Sequence, residues 1–208
     1  YTFTHPVTGK KLVLRIECGS QLHLDNQIQY EAEALKLITE SGHTPKVYYY
    51  DATRNHLDHG ILVEEFLPGD HLDYTDQHQL ALAAGALADI HSVSVASPPE
   101  THLIDPGNSL GAIIDESEEM VQLYMASDLA DDKTKTRIRR LIARGREMIE
   151  GVEDGDIYRC CINTELNNTN FLMDRDADKM CVVDWEKPLY GDPAQDLGHF
   201  LTPTTTFW

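Results

Sequence analysis

In the C-terminal third of the chain, Glu165 stands five positions before Asn170, and Asp184 follows 14 residues later. They lie in Asn163-Thr164-Glu165-Leu166-Asn167-Asn168-Thr169-Asn170 and Val182-Val183-Asp184-Trp185-Glu186. An acid, an amide and a second acid in this order suit phosphoryl transfer. One acid accepts the proton of an attacking hydroxyl, and the other two groups are oxygen ligands for magnesium. Such a reaction asks that phosphates be held, the metal placed and the hydroxyl oriented. Glu165 is therefore the candidate base, and Asn170 and Asp184 are the candidate metal ligands. Arg15 stands where a phosphate-binding lysine would lie on a strand, with Glu31 on the next helix as its partner. Each residue has a plainer reading when taken singly. Asn-rich runs and strand-end aspartates form turns, an arginine on a strand is commonly a solvated edge, and a helix glutamate is commonly a surface acid. Their order along the chain favours the joint reading.

The elements that must position these groups are legible from periodicity. Residues 1–16 read as a hairpin turning at His5-Pro6-Val7-Thr8-Gly9, with Leu12, Leu14 and Ile16 on one face and Val13 and Arg15 on the other. Residues 25–40 read as a helix with Ile28, Ala32, Leu35 and Ile38 as its apolar stripe. Glu31 falls on or beside that stripe, where an acid needs a partner. Strands are expected at 46–50 and 61–67, ending in Pro68-Gly69. A helix running from Asp76 to about Val93 would present Leu80, Ala84, Leu87 and His91, with His91 a hydrogen-bonded core histidine. A loop with Pro98, Pro99, Pro106 and Gly107 runs to Gly111. Helices are expected at roughly 115–127 and 131–150, and strands at 157–162, 170–174 and 180–184. The basic run Lys133, Lys135, Arg137, Arg139, Arg140, Arg144 and Arg146 reads as a solvated helix face. The fold class is α+β, with a strand-rich lobe at 1–67 and a mainly helical lobe at 68–208.

The chain has 208 residues, 41% hydrophobic and 25% charged, enough for one large or two small cores. A net charge of −18 excludes a basic nucleic-acid footprint and suits cationic partners or a high-salt milieu. Cys18, Cys160, Cys161 and Cys181 have neither metal nor disulfide spacing, which points to a reducing compartment and a cytoplasmic protein. No apolar run has the length of a membrane span.

Asn163 to Leu172 resembles the H-G-D-L-x-x-x-N-x-L catalytic loop of the aminoglycoside phosphotransferase and choline kinase-like family. Val183-Asp184-Trp185-Glu186 is similar to its I-D-W-E, and Gly191-Asp192-Pro193-Ala194-Gln195-Asp196-Leu197 to its G-D-P-x-x-D-L. Tyr30-Glu31-Ala32-Glu33-Ala34-Leu35 resembles its glutamate-bearing helix, and Val63-Glu64-Glu65-Phe66-Leu67-Pro68-Gly69 the hinge that borders adenine. The resemblance implies a two-lobed protein kinase-like fold that uses ATP and magnesium to phosphorylate a hydroxyl of a small molecule. Aminoglycosides, choline, amino alcohols and sugars all fit, and an acidic pocket would suit a cationic acceptor. It makes the backbones of Glu65 and Leu67 the adenine side, Asp196 a structural acid bracing the catalytic loop, and Asn163 a second structural support of that loop. It also implies a strand and turn before Tyr1 and helices after Trp208, so the chain is expected to be incomplete at both ends.

Three positions depart from the family pattern: Asn163 stands for histidine, Glu165 for aspartate and Arg15 for lysine. A base one methylene longer can cost about 10²-fold in rate for a misplacement of about 1 Å. Arg15 keeps the charge but has a different reach. These departures leave a second expectation open, a catalytically impaired kinase-like binding or scaffold module.

Overall fold

Alternating side chains in the first 65 residues build an antiparallel sheet in the computed structural model, which describes residues 1–20, 22–152 and 157–202. Its strands are β1 (Thr2–Thr4), β2 (Lys11–Ile16), β3 (Val47–Asp51) and β4 (Ile61–Glu65), in the order β1-β2-β4-β3. The β2–β4 register pairs Arg15 with Leu62 and Val13 with Glu64. Directly paired residues share a face, so these four side chains project together. Helix α1 (Gln27–Leu37) continues into a short 3-10 turn and packs on β3 and β4. Its expected stripe is the buried one: Ile28, Ala32, Leu35 and Ile38 all lie in the core.

Helix α2 (Gln77–His91) starts at Asp76, whose side chain accepts the N–H groups of His78 and Gln79. The expected face is shifted. Leu87 and His91 are buried, but so are Gln79, Ala83, Ala86 and Ile90, while Ala84 is exposed and Leu80 half-buried. Gln79 is the reason. Its Nε2 donates to Asp76 at 3.1 Å and its Oε1 accepts from the Asp73 N–H at 3.0 Å, so a polar side chain enters the core with its bonds made.

Strand β5 (Asp70–His71), just before this helix, forms one antiparallel sheet with β7 (Phe171–Asp174) and β8 (Lys179–Val182), and β6 (Cys160–Ile162) pairs with β9 (Leu189–Gly191). Strand β8 stops short of the expected residue 184, because Asp184 takes a φ of 64°, which no strand continues. Helix α5 (Pro193–Phe200) is capped by Asp192 with Pro193 in its first turn. The three-stranded sheet, α1 and α2 enclose a core that includes Leu62, Leu166, Phe171 and Trp185, the last donating Nε1–H to the Val182 carbonyl at 3.0 Å.

Contacts divide the chain into two compact units, residues 1–104 with 159–208, and residues 105–158. The expected lobe boundary at 67/68 falls inside the first. The second unit is a pair of helices, α3 (Ser109–Ala126) and α4 (Asp132–Ile149), tied by Arg146 to Asp115 at 2.6 Å and to Glu118 at 2.7 Å. Helix α3 begins six residues before the expected 115, because Asn108 caps it by accepting the Gly111 N–H at 2.7 Å. Residues 203–208, where the sequence led us to expect a continuation, lie outside the described ones. Among the described residues no helix is long and apolar enough to cross a membrane. All four cysteines are free, and burial pushes the Cys160 thiol up to about 12.

Leu62 is fully buried behind Arg15. Leu62→Ala is expected to cost about 2–5 kcal/mol, read as a lower urea midpoint with an unchanged slope.

Candidate active site

Strand β2 and helix α1 bring Arg15 and Glu31 together, as their sequence positions suggested. Arg15 Nη1 lies 3.1 Å from Glu31 Oε1, whose side chain is only 2% exposed. The approach lacks hydrogen-bond direction, and Glu31 Oε1 is buried with no hydrogen bond. Burial pushes the Glu31 carboxyl up to about 8 against the pull of Arg15, with Glu64, Asp184 and Glu186 adding to the rise. Glu64, one strand over and on the same face as Arg15, is raised to about 7, again by burial first and against Arg15. At Arg15 the balance reverses. Burial works against its charge, but Glu31, Asp184 and Glu64 together outweigh it and raise the guanidinium further.

The loop from Asn163 to Asn170 follows β6. Asp196 on α5, fully buried, accepts the backbone N–H of Asn163 at 2.9 Å and of Thr164 at 2.7 Å, and meets His91 Nε2 at 2.9 Å. Thr164 has a φ of 75°, unusual for a β-branched residue. Its hydroxyl donates to the Lys187 carbonyl at 2.8 Å, which holds the turn. Asn163 does work the sequence left in doubt. Its Nδ2 donates to the Asp184 carbonyl at 2.8 Å and its Oδ1 accepts the Glu165 N–H at 3.2 Å. One amide thus joins the loop bearing the candidate base to the segment bearing the candidate metal ligand.

Asn170 and Asp184 come close through the β7–β8 hairpin, which pairs Phe171 with Val182 and lets the Val183 N–H reach the Asn170 carbonyl at 2.8 Å. Asn170 Nδ2 points at the Glu165 carbonyl at 3.3 Å, which turns its Oδ1 the other way. Asp184 is half-exposed, and its Oδ1 accepts from both Arg15 Nη1 and Nη2 at 3.2 Å. Asn170 Oδ1 and Asp184 Oδ2 are hard oxygen donors of the kind magnesium accepts when phosphates complete its shell. Among the described residues no three His, Cys, Asp or Glu side chains converge as a metal site by themselves.

Glu165 is half-buried, and no described side chain pairs with its carboxylate. At the hinge, the Glu65 N–H is committed to the Lys46 carbonyl at 2.9 Å, so of its backbone polar groups the carbonyl alone could face a base. Neither Glu65 nor Leu67 touches the Arg15 group. Two members of that group were missed from sequence. Glu64 is two residues from the inward Leu62, a period-2 signal that could have exposed it. Glu186 lies in the quoted D-W-E, and its Oε2 lies 3.4 Å from Arg15 Nη2.

Two outcomes are expected. Asp196→Ala leaves buried donors unpartnered and should cost about 3 kcal/mol or more, measured by urea denaturation. Folding raises Glu31 from an ordinary value of about 4.3 to about 8, so the folded chain binds more protons than the unfolded one between those values. Stability therefore falls as pH rises through that window, and Glu64 adds to the fall up to about 7. Thermal unfolding from about pH 5 to pH 8 should show Glu31→Gln gaining steadily on the wild type. A constant difference would contradict the assignment.

Comparison with known proteins places this geometry in context. The chain matches the model of the phosphotransferase enzyme family over residues 1–208. Among solved structures it is similar to a choline/ethanolamine kinase family protein from Mesorhizobium loti, with a TM-score of 0.65, 21% identity, and 91% of this chain on 56% of that one. An aminoglycoside phosphotransferase from Alicyclobacillus acidocaldarius gives a TM-score of 0.62 at 14% identity, 93% of this chain covering 61% of that one. A spectinomycin phosphotransferase in complex with ADP and spectinomycin gives 0.62 at 15% identity, 91% covering 60%. At these identities the likeness is one of fold, and the chain spans little more than half the length of these structures. A comparison with curated proteins found no match.

Proposed function

This chain belongs to the phosphotransferase enzyme family, and from that premise we propose that it is the core of an ATP-dependent kinase acting on a small-molecule hydroxyl. The observation that carries the reading is the convergence of Arg15 from β2, Glu31 from α1 and Asp184 from the turn after β8. Three charged groups this far apart in sequence meet in ion-pair contact, which supports a phosphoryl-transfer reading.

In this reading Glu65 and Leu67 offer backbone groups to adenine, and Arg15 holds the phosphates while Glu31 steadies it from the buried side. Asn170 Oδ1 and Asp184 hold magnesium, which when bound offsets the phosphate charge. Glu165 accepts the proton of the acceptor hydroxyl as the new oxygen–phosphorus bond forms and the bond to the ADP leaving group breaks. Asn163 and Asp196 keep Glu165 and Asp184 in register. The acceptor is of the aminoglycoside, choline, amino-alcohol or sugar type, and the chain's acidity suits a cationic one. The seating of the catalytic loop by Asn163 supports a working enzyme over a silent binding module.

The test is calorimetric titration with ATP, with and without magnesium, beside Asp184→Asn and Glu165→Gln. Binding is expected to depend on magnesium and to be lost in Asp184→Asn; binding retained there overturns the metal assignment. Glu165→Gln should keep ATP affinity and lose about 10²-fold or more in turnover with an accepted hydroxyl compound. Nucleotide binding without transfer in either the wild type or Glu165→Asp would favour the silent module.

A further inference from the structure

Arg15 faces more acid than it can serve. Glu31, Glu64, Asp184 and Glu186 all act on its charge, yet its hydrogen bonds go one way. Nη1 and Nη2 both donate to Asp184 Oδ1 at 3.2 Å, and Nη2 also donates to Glu186 Oε2 at 3.4 Å. Toward Glu31 there is an ion pair at 3.1 Å but no hydrogen bond, and Glu31 Oε1 is buried without one. A buried acceptor without a donor is costly and calls for a reason. The planar guanidinium fork is rigid, so turning it toward one partner turns it from the other.

We propose that Arg15 is a two-position switch that makes metal binding depend on nucleotide. In the position seen here the guanidinium occupies Asp184 Oδ1 and leaves Oδ2 open, and a metal cation approaching that carboxylate meets a positive charge already in place. A polyphosphate offers Arg15 a stronger, bidentate partner. As the side chain swings to it, Glu31 Oε1 gains the donor it lacks and Asp184 is released to the cation. This rests on the nucleotide reading given above and deepens it. It also gives the arginine a task that a lysine, a point charge without a fork, performs less completely.

Mn²⁺ is the probe, its binding to the full chain followed by electron paramagnetic resonance of the free ion, so that no turnover is needed. The wild type should bind Mn²⁺ weakly alone and more tightly once ATP is present. Arg15→Gln should bind Mn²⁺ alone about tenfold more tightly, and adding Asp184→Asn should abolish that gain. Arg15→Lys keeps the charge but loses the fork, and should still bind Mn²⁺ alone more tightly than the wild type. Glu31→Gln should shrink the gain that ATP brings. Equal affinity in the wild type and Arg15→Gln overturns the switch, as does a gain that survives Asp184→Asn. An Arg15→Lys chain identical to the wild type reduces the effect to charge alone and also overturns it. Failure of ATP to bind the wild type even with Mn²⁺ defeats the nucleotide reading itself, and the switch with it.

Discussion

The carboxylate of Asp196 is the anchor on which the site hangs. It is wholly buried, and a buried charge persists only where donors surround it. Here the donors include the backbone N–H groups of Asn163 and Thr164, with His91 of α2 alongside. The same contacts that satisfy the charge hold Thr164 in its left-handed turn and set where Glu165 leaves the backbone. From Asn163 the connection passes through one side-chain amide to Asp184, and from Asp184 to Arg15 and the sheet. Loosening Asp196 would therefore loosen residues that do not touch it.

At the other end of this network the electrostatics are deliberately unbalanced. One arginine stands among several carboxylates, two of them buried deeply enough to hold their protons toward neutral pH. In a region of low dielectric, unneutralised acids of this density repel one another, and protons or cations must enter to relieve them. A cluster of this kind fits the proposed holding of metal ions together with phosphates. The departures from the family pattern fit that balance: Arg15 spreads its charge over more acceptors than a lysine would, and Asn163 supplies both a donor and an acceptor at the loop.

Much of this was legible in the sequence where periodicity was long or motifs were spaced. The α1 stripe, the Arg15–Glu31 pair and the order of Asn170 and Asp184 all follow from residue type and interval. What escaped was short or depended on a side chain's partners. Strands β5 and β9 run two and three residues, too few for alternation to register. The α2 face was misjudged because Gln79 becomes a core residue only once Asp73 and Asp76 satisfy it. Helix α3 was started late because Asn108 caps it ahead of a glycine that reads as a breaker. The role of Asn163 depends on distances to Asp184 and Glu165 that no spacing rule contains.

The contact between Arg15 and Asp184 spans 169 residues of chain, and the one between His91 and Asp196 spans 105. Loop closure over such distances is entropically costly and slow, and local helices and hairpins form well before it. Contacts of such sequence separation are expected to form after the local elements they join. Recovery of the Arg15–Asp184 contact after denaturation would mark a late stage of folding rather than its onset.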